Sequence, residues 1–172
     1  MSELRTSRLG RVMIVLAWLC VLGLLWLAFD AYLQRSYHPN RNLSVQPGQS
    51  ELVLKRSRSG HYLAPGTING EAVVFLVDTG ATQVSVPAHL GDVLGLSAGA
   101  AAQVMTANGP VTVRATRVAE LGLGPFVVRN VPAHLNPGFR QNEILLGMSV
   151  LKHLEFTQRG DTLILRPHAV GR

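Results

Sequence analysis

Ala72-Val73-Val74-Phe75-Leu76-Val77-Asp78-Thr79-Gly80-Ala81 is the stretch whose reading decides the fold. Six apolar residues run without interruption into a carboxylate, a hydroxyl and a glycine. A short apolar run bounded by turn residues reads as a buried strand. A strand end fixes the backbone that presents Asp78. Gly80 lets the chain turn sharply and approach its neighbours closely. The Thr79 hydroxyl is placed to bond the loop backbone and hold the carboxylate rigid. A plainer reading exists, in which Asp78-Thr79-Gly80 is only turn chemistry after a core strand. The tripeptide alone does not choose between these readings; the segments around it do.

Working outward, His61–Ile68 and Glu71–Val77 flank Asn69-Gly70, the strongest short hairpin signal. Val84-Ser85-Val86 reads as a short strand, and Pro87 can open a helix over Ala88–Leu94 that ends near Gly95. Gln103–Thr106 and Val111–Val118 flank Ala107-Asn108-Gly109-Pro110, a second hairpin. Phe126–Val131 follows a Gly122/Gly124 turn. Glu143–Leu146 is a further apolar strand, and Met148–Leu154 reads as a helix. Phe156–Gln158 and Thr162–Leu165 form a last hairpin about Gly160-Asp161. Many short strands at this spacing, with one or two short helices, predict an all-β domain built as a small closed barrel.

The N-terminal part differs. Val12–Phe29 is 18 residues without a charge. As a helix it spans about 27 Å, enough for a bilayer core. Leu27-Ala28-Phe29-Asp30-Ala31 offers no small-x-small cleavage site, which favours an uncleaved anchor over a signal peptide. Arg5, Arg8 and Arg11 precede the span, and Asp30, Arg35 and Arg41 follow it. That asymmetry places the N-terminus in the cytoplasm and the C-terminal domain outside it. Residues 34–59, with Pro39, Pro47, Gly48 and the cluster Lys55-Arg56-Ser57-Arg58, read as a mobile tether. The expected organisation is a cytoplasmic N-terminus over 1–11, a transmembrane anchor over 12–29, a linker over 30–59 and a folded domain over 60–172.

The net charge of +6 is unevenly placed. Residues 1–59 hold eight Lys/Arg and three Asp/Glu, a net of +5, and residues 60–172 hold eight and seven, a net of +1. The basicity flanks the membrane span and forms no aromatic-interleaved stripe, so no nucleic-acid partner is expected. Cys20, the only cysteine, lies inside the span and allows no intramolecular disulfide. The six histidines show no metal-ligand spacing, and no phosphate-binding or dinucleotide loop is present. No metal and no cofactor are expected.

Three segments in order resemble the retropepsin-like aspartic peptidases of clan AA, and more closely their bacterial membrane-anchored branch. They are Phe75-Leu76-Val77-Asp78-Thr79-Gly80-Ala81, then Thr106-Ala107-Asn108-Gly109-Pro110, then Ile144-Leu145-Leu146-Gly147. The resemblance covers about residues 60–167. It implies a retropepsin-like acid-protease barrel with Asp78 catalytic. Thr79, Gly80 and Ala81 would support the active-site loop, and Ala107, Asn108 and Gly109 would form the flap. Leu145, Leu146 and Gly147 would form the strand beneath the loop. Met148-Ser149 stands where retroviral members usually carry Arg-Asp or Arg-Asn.

Peptide hydrolysis by this chemistry requires two carboxylates, one ionised to take a proton from water and one protonated to polarise the carbonyl. The chain has one Asp-Thr-Gly. Asp30, Asp92 and Asp161 lie in membrane-flanking, helix and turn contexts. The resemblance therefore implies a homodimer that pairs two copies of Asp78 across a two-fold axis. The function expected is an aspartic endopeptidase acting on polypeptide, anchored in a bacterial inner membrane with its domain periplasmic. The competing readings are a non-catalytic peptide-binding or assembly module on the same fold, and a purely structural tethered β-domain.

Overall fold

The computed structural model describes residues 3–43, 49–106 and 109–168. The chain divides into two units, Met1–Tyr37 and His38–Arg172.

The first unit is one helix, α1, Glu3–Tyr37. Its Gly10–Leu33 segment is long and apolar enough to cross a membrane. Trp18, Leu19, Leu22, Leu24, Leu25 and Trp26 are all exposed, so the apolar surface runs round the whole cylinder. A soluble amphipathic helix would confine it to one stripe. The helix continues eight residues past Phe29, because Asp30-Ala31-Tyr32-Leu33 contains no breaker and Pro39 lies beyond the end.

The second unit is mostly β. Its strands are β1 Leu52–Lys55, β2 Tyr62–Ile68, β3 Glu71–Val77, β4 Val84–Pro87, β5 Ala101–Thr106, β6 Gly109–Leu123, β7 Phe126–Asn136, β8 Ile144–Leu146, β9 Leu154–Arg159 and β10 Thr162–Pro167. The main sheet runs β2-β3-β8-β4-β7-β6-β5, and a further β2–β6 pairing closes its first six strands into a barrel. β5 extends beyond the closure as the outer arm of a hairpin with β6. Two pairings are parallel, β3–β8 and β4–β7, and they bring sequence-distant strands under the Asp78 loop. Phe75, Val84, Val86, Val118, Leu121, Leu123, Ile144 and Leu146 fill the interior. A second sheet, β1-β10-β9, adds Leu52, Leu54, Leu163 and Leu165 to the same core.

The hairpin at Asn69-Gly70 forms as expected. Both residues have positive φ, 51° and 92°, which is the turn that suits the strand twist. Three expectations change. The helix over Ala88–Leu94 is a single 3-10 turn, Ala88–Leu90, followed by a turn that Gly91 and Gly95 (φ 64°) complete. The helix over Met148–Leu154 is the shorter α2, Met148–Leu151, because Leu154 is buried as the first residue of β9.

The third change concerns the tether over 34–59. Its first residues are helix, and its last are strand: Leu52 and Leu54 alternate inward and β1 pairs with β10. Asn40 is buried between β1 and β2. Its side-chain amide donates to the carbonyls of Lys55 and Leu63, and its Oδ1 accepts from Lys55 N–H, each at 2.8 Å. Arg56, in the basic cluster, meets Asp161 of the β9–β10 turn at 4.0 Å and donates its Nε to Gly60 O.

Candidate active site

β3 delivers Asp78 to the rim of the barrel. Its side chains alternate, with Phe75 in the core and Leu76 on the opposite face. One more step of that alternation puts Asp78 on the face of Leu76. The ladder continues past the strand, with Asp78 N–H donating to Leu146 O at 3.2 Å. Asp78 is partly exposed.

The loop after it folds back on the carboxylate. Gly80 N–H donates to Asp78 Oδ1 at 2.9 Å, and Ala81 N–H donates to Asp78 O at 3.3 Å. A Cβ on Gly80 would stand 3.2 Å from that Oδ1, so glycine permits the close approach. The Thr79 side chain is exposed and its hydroxyl makes no hydrogen bond among the described residues. Within one chain the amide of Gly80, rather than the Thr79 hydroxyl, orients the carboxylate.

The β8–α2 junction holds the loop from below. Met148 N–H donates to Ala81 O at 2.8 Å and Ser149 N–H to Thr82 O at 2.9 Å. Ser149 Oγ accepts from Val84 N–H at 3.2 Å. Gly147 makes this contact possible. Any Cβ there would collide with Gln83 O and would lie 2.6 Å from Ala81 O. The sequence thus places Asp78, Thr79, Gly80, Ala81 and Leu145, Leu146, Gly147 in one neighbourhood. Ser149, which stands at a departure from the retroviral pattern, supplies a polar contact of its own.

The flap positions Ala107 and Asn108 lie outside the described residues. Gly109 begins β6 with φ 102°, and its carbonyl accepts from the Thr106 hydroxyl at 2.7 Å. Among the described residues no three His, Cys, Asp or Glu side chains gather as a metal site. Asp161 lies in the β9–β10 turn and Asp92 in the turn after the 3-10 segment, neither of them beside Asp78 in the sheet order, and Asp30 belongs to α1. A cavity of about 750 Å³ is lined by Gly91, Asp92, Leu96, Thr112, Arg114 and Leu135 among others, and does not include Asp78.

The gag-polyprotein putative aspartyl protease family model matches residues 64–153, which include the Asp78 loop, the β5–β6 hairpin and the β8–α2 junction. The chain belongs to that family. Its fold is also that of a solved retropepsin-like aspartic protease from Rickettsia conorii, at a TM-score of 0.58 and 28% identity over 68% of this chain and 90% of that one. An uncharacterized protein from the cobV 5′ region of Sinorhizobium is 35% identical over 69% of this chain, and an uncharacterized protein of Rickettsia prowazekii is 28% identical over 80%. The chain spans 53% and 63% of the length of those two relatives. Family and fold together place the chain in the retropepsin-like aspartic protease group.

Proposed function

We propose that the chain is a membrane-anchored aspartic endopeptidase whose working site pairs Asp78 with Asp78 of a second copy. The observation that carries this reading is a half-exposed carboxylate held at a barrel rim by a backbone amide, on a loop fixed from below. Such a group is oriented but lacks the second acid that the chemistry requires. In the pair, one carboxylate takes a proton from water. The other, protonated, hydrogen-bonds and polarises the scissile carbonyl as the water oxygen bonds its carbon, and the proton taken from water passes to the nitrogen as the C–N bond breaks. Two carboxylates about 3 Å apart share one proton, so activity should follow a bell in pH with its optimum on the acid side. The β5–β6 hairpin, as flap, would close over the bound polypeptide and exclude water.

The Gly10–Leu33 helix supports anchoring in a bacterial inner membrane. Arg5, Arg8 and Arg11 before it support a periplasmic domain. A single-pass anchor also confines two copies to one plane, which raises their effective concentration.

The test is cleavage of an unbiased peptide library by the purified full chain in detergent, with Asp78→Asn as control. Acid-optimal cleavage lost in the variant is expected, and chelators should leave it unchanged. Retained turnover in Asp78→Asn would remove Asp78 from the mechanism. A reporter fused after Arg172 tests the topology: one that works only in the periplasm should be active.

A further inference from the structure

The chain that leaves α1 is pinned to the barrel almost at once. α1 ends at Tyr37, and Asn40 is already 4% exposed. Its amide donates to Lys55 O and Leu63 O, and its Oδ1 accepts from Lys55 N–H. His38 Nε2 stands 3.9 Å from Oε1 of Glu143, the residue before β8. Arg41 N–H donates to His38 O at 3.2 Å and Leu43 N–H to Asn40 O at 3.1 Å, so the segment is itself a folded turn. Releasing Asn40 would strip a hydrogen bond from each of three backbone groups, and unpaired backbone groups are costly.

The pinned point lies at the Asp78 end of the β2–β3 hairpin. Leu63 pairs with Leu76 and Tyr62 with Val77, whereas Asn69-Gly70 turns the chain at the far end. A side chain, one hydrogen bond, one strand spacing and two residues of strand separate Asn40 from Asp78, so the two lie within about 20 Å.

Chain length then bounds how far Asp78 can stand from a membrane. Leu33 ends the apolar segment of α1. The helical steps from Leu33 to Tyr37 add about 6 Å, and the residues from Tyr37 to Asn40 add at most about 10 Å. Asp78 therefore stays within about 40 Å of the apolar edge of the bilayer, whichever way the barrel faces. A free tether over 34–59 would let the domain drift about 90 Å. An extended polypeptide advances about 3.4 Å per residue, so a chain emerging from the same bilayer comes level with Asp78 within about a dozen residues.

We propose that the substrates are polypeptides held in the same membrane, cut in an extended segment within about a dozen residues of the bilayer surface. This rests on the membrane-anchored peptidase reading above and narrows its substrate class. Two chains confined to one plane meet at a raised effective concentration that a soluble polypeptide does not share. The Asn40 clamp then selects along the substrate, because a segment held off by a rigid spacer longer than about 40 Å lies beyond the reach of Asp78.

The test places the full chain in liposomes with two single-pass substrates that carry one cleavable sequence taken from the peptide library. One bears it about six residues beyond its span, and the other beyond a polyproline spacer of about 20 residues, or about 60 Å. The wild type should cut the near substrate about tenfold or more faster than the far one. A Gly/Ser insertion of about 20 residues after Tyr37 adds about 25 Å of reach on average and should bring that ratio below about threefold, with cleavage of soluble peptides unchanged. Equal rates on the two substrates in the wild type would overturn the proposal and leave the peptidase reading standing. If the wild type cleaves no peptide at all, the peptidase reading fails separately. The pinned site is then judged by energy transfer to acceptor-labelled lipid headgroups from a dye on Gln83→Cys, an exposed position, in a Cys20→Ser chain. Strong transfer that the insertion weakens upholds it. Transfer that is weak in the wild type, or the same with and without the insertion, overturns it.

Discussion

The loop that carries Asp78 and the β5–β6 hairpin are held by opposite means. The loop is fixed from below by Leu146 O, by the N–H groups of Met148 and Ser149 and by Ser149 Oγ, with Gly147 in contact beneath it. The hairpin leaves the barrel closure behind. β5 is the outermost strand of its sheet, none of its residues belongs to the core, and Met105 is 81% exposed. Few buried contacts mean a low cost of local opening. On the proposed reading the difference is a division of labour: acid chemistry would require a carboxylate that does not move, and substrate entry a cover that does.

The sharpest way to break the fixed side is chemical. Asp78→Asn fills the same space but cannot cycle a proton, so cleavage should vanish while the thermal midpoint stays within a few degrees of wild type. Peptide cleavage and a melting curve on one sample check both halves. Gly147→Ala attacks the support instead. Its Cβ has nowhere to go between Gln83 O and Ala81 O, so a loss of about 3 kcal/mol is expected, with activity falling alongside. Denaturant unfolding measures it.

A subtler pair sharpens the contrast. Ser149→Ala leaves Val84 N–H unpaired and should cost about 1 kcal/mol. Met105→Ser on the hairpin should change stability by less than about 0.5 kcal/mol, since almost nothing packs on it. Equal effects at the two sites would erase the distinction between loop and hairpin.

The smallest expected effect is in pH. Burial lowers His134 below its ordinary 6.5, so the unfolded chain binds the proton more readily. Stability is then fully present above that value and is lost as pH falls through it toward the lower folded value. Between pH 7.5 and 5.5 the wild type should lose more stability than His134→Leu, as paired denaturant titrations would read.

Much of this was legible in the chain. Asp78-Thr79-Gly80 after six apolar residues, Asn69-Gly70 between two strands, and Ile144-Leu145-Leu146-Gly147 before a helix are local patterns, and each forms where it reads. What escaped was non-local. Leu52-Val53-Leu54 is too short to show a period, and its partner β10 lies more than 100 residues away. The Asn40 amide acts as a strand-like clamp only because β1 and β2 converge on it. Ser85 and His134 meet through a parallel β4–β7 pairing that no hairpin signal announces. The role expected of the Thr79 hydroxyl falls to the Gly80 amide, a backbone group that composition does not display.

The shared dyad is tested most directly by mixing inside the membrane. Wild-type chain co-expressed with a ninefold excess of Asp78→Asn finds itself almost entirely in mixed pairs. If each site takes one Asp78 from each copy, activity per wild-type chain should fall to about a tenth. Activity per wild-type chain that stays constant across the whole range of ratios would contradict the dyad and leave Asp78 working alone.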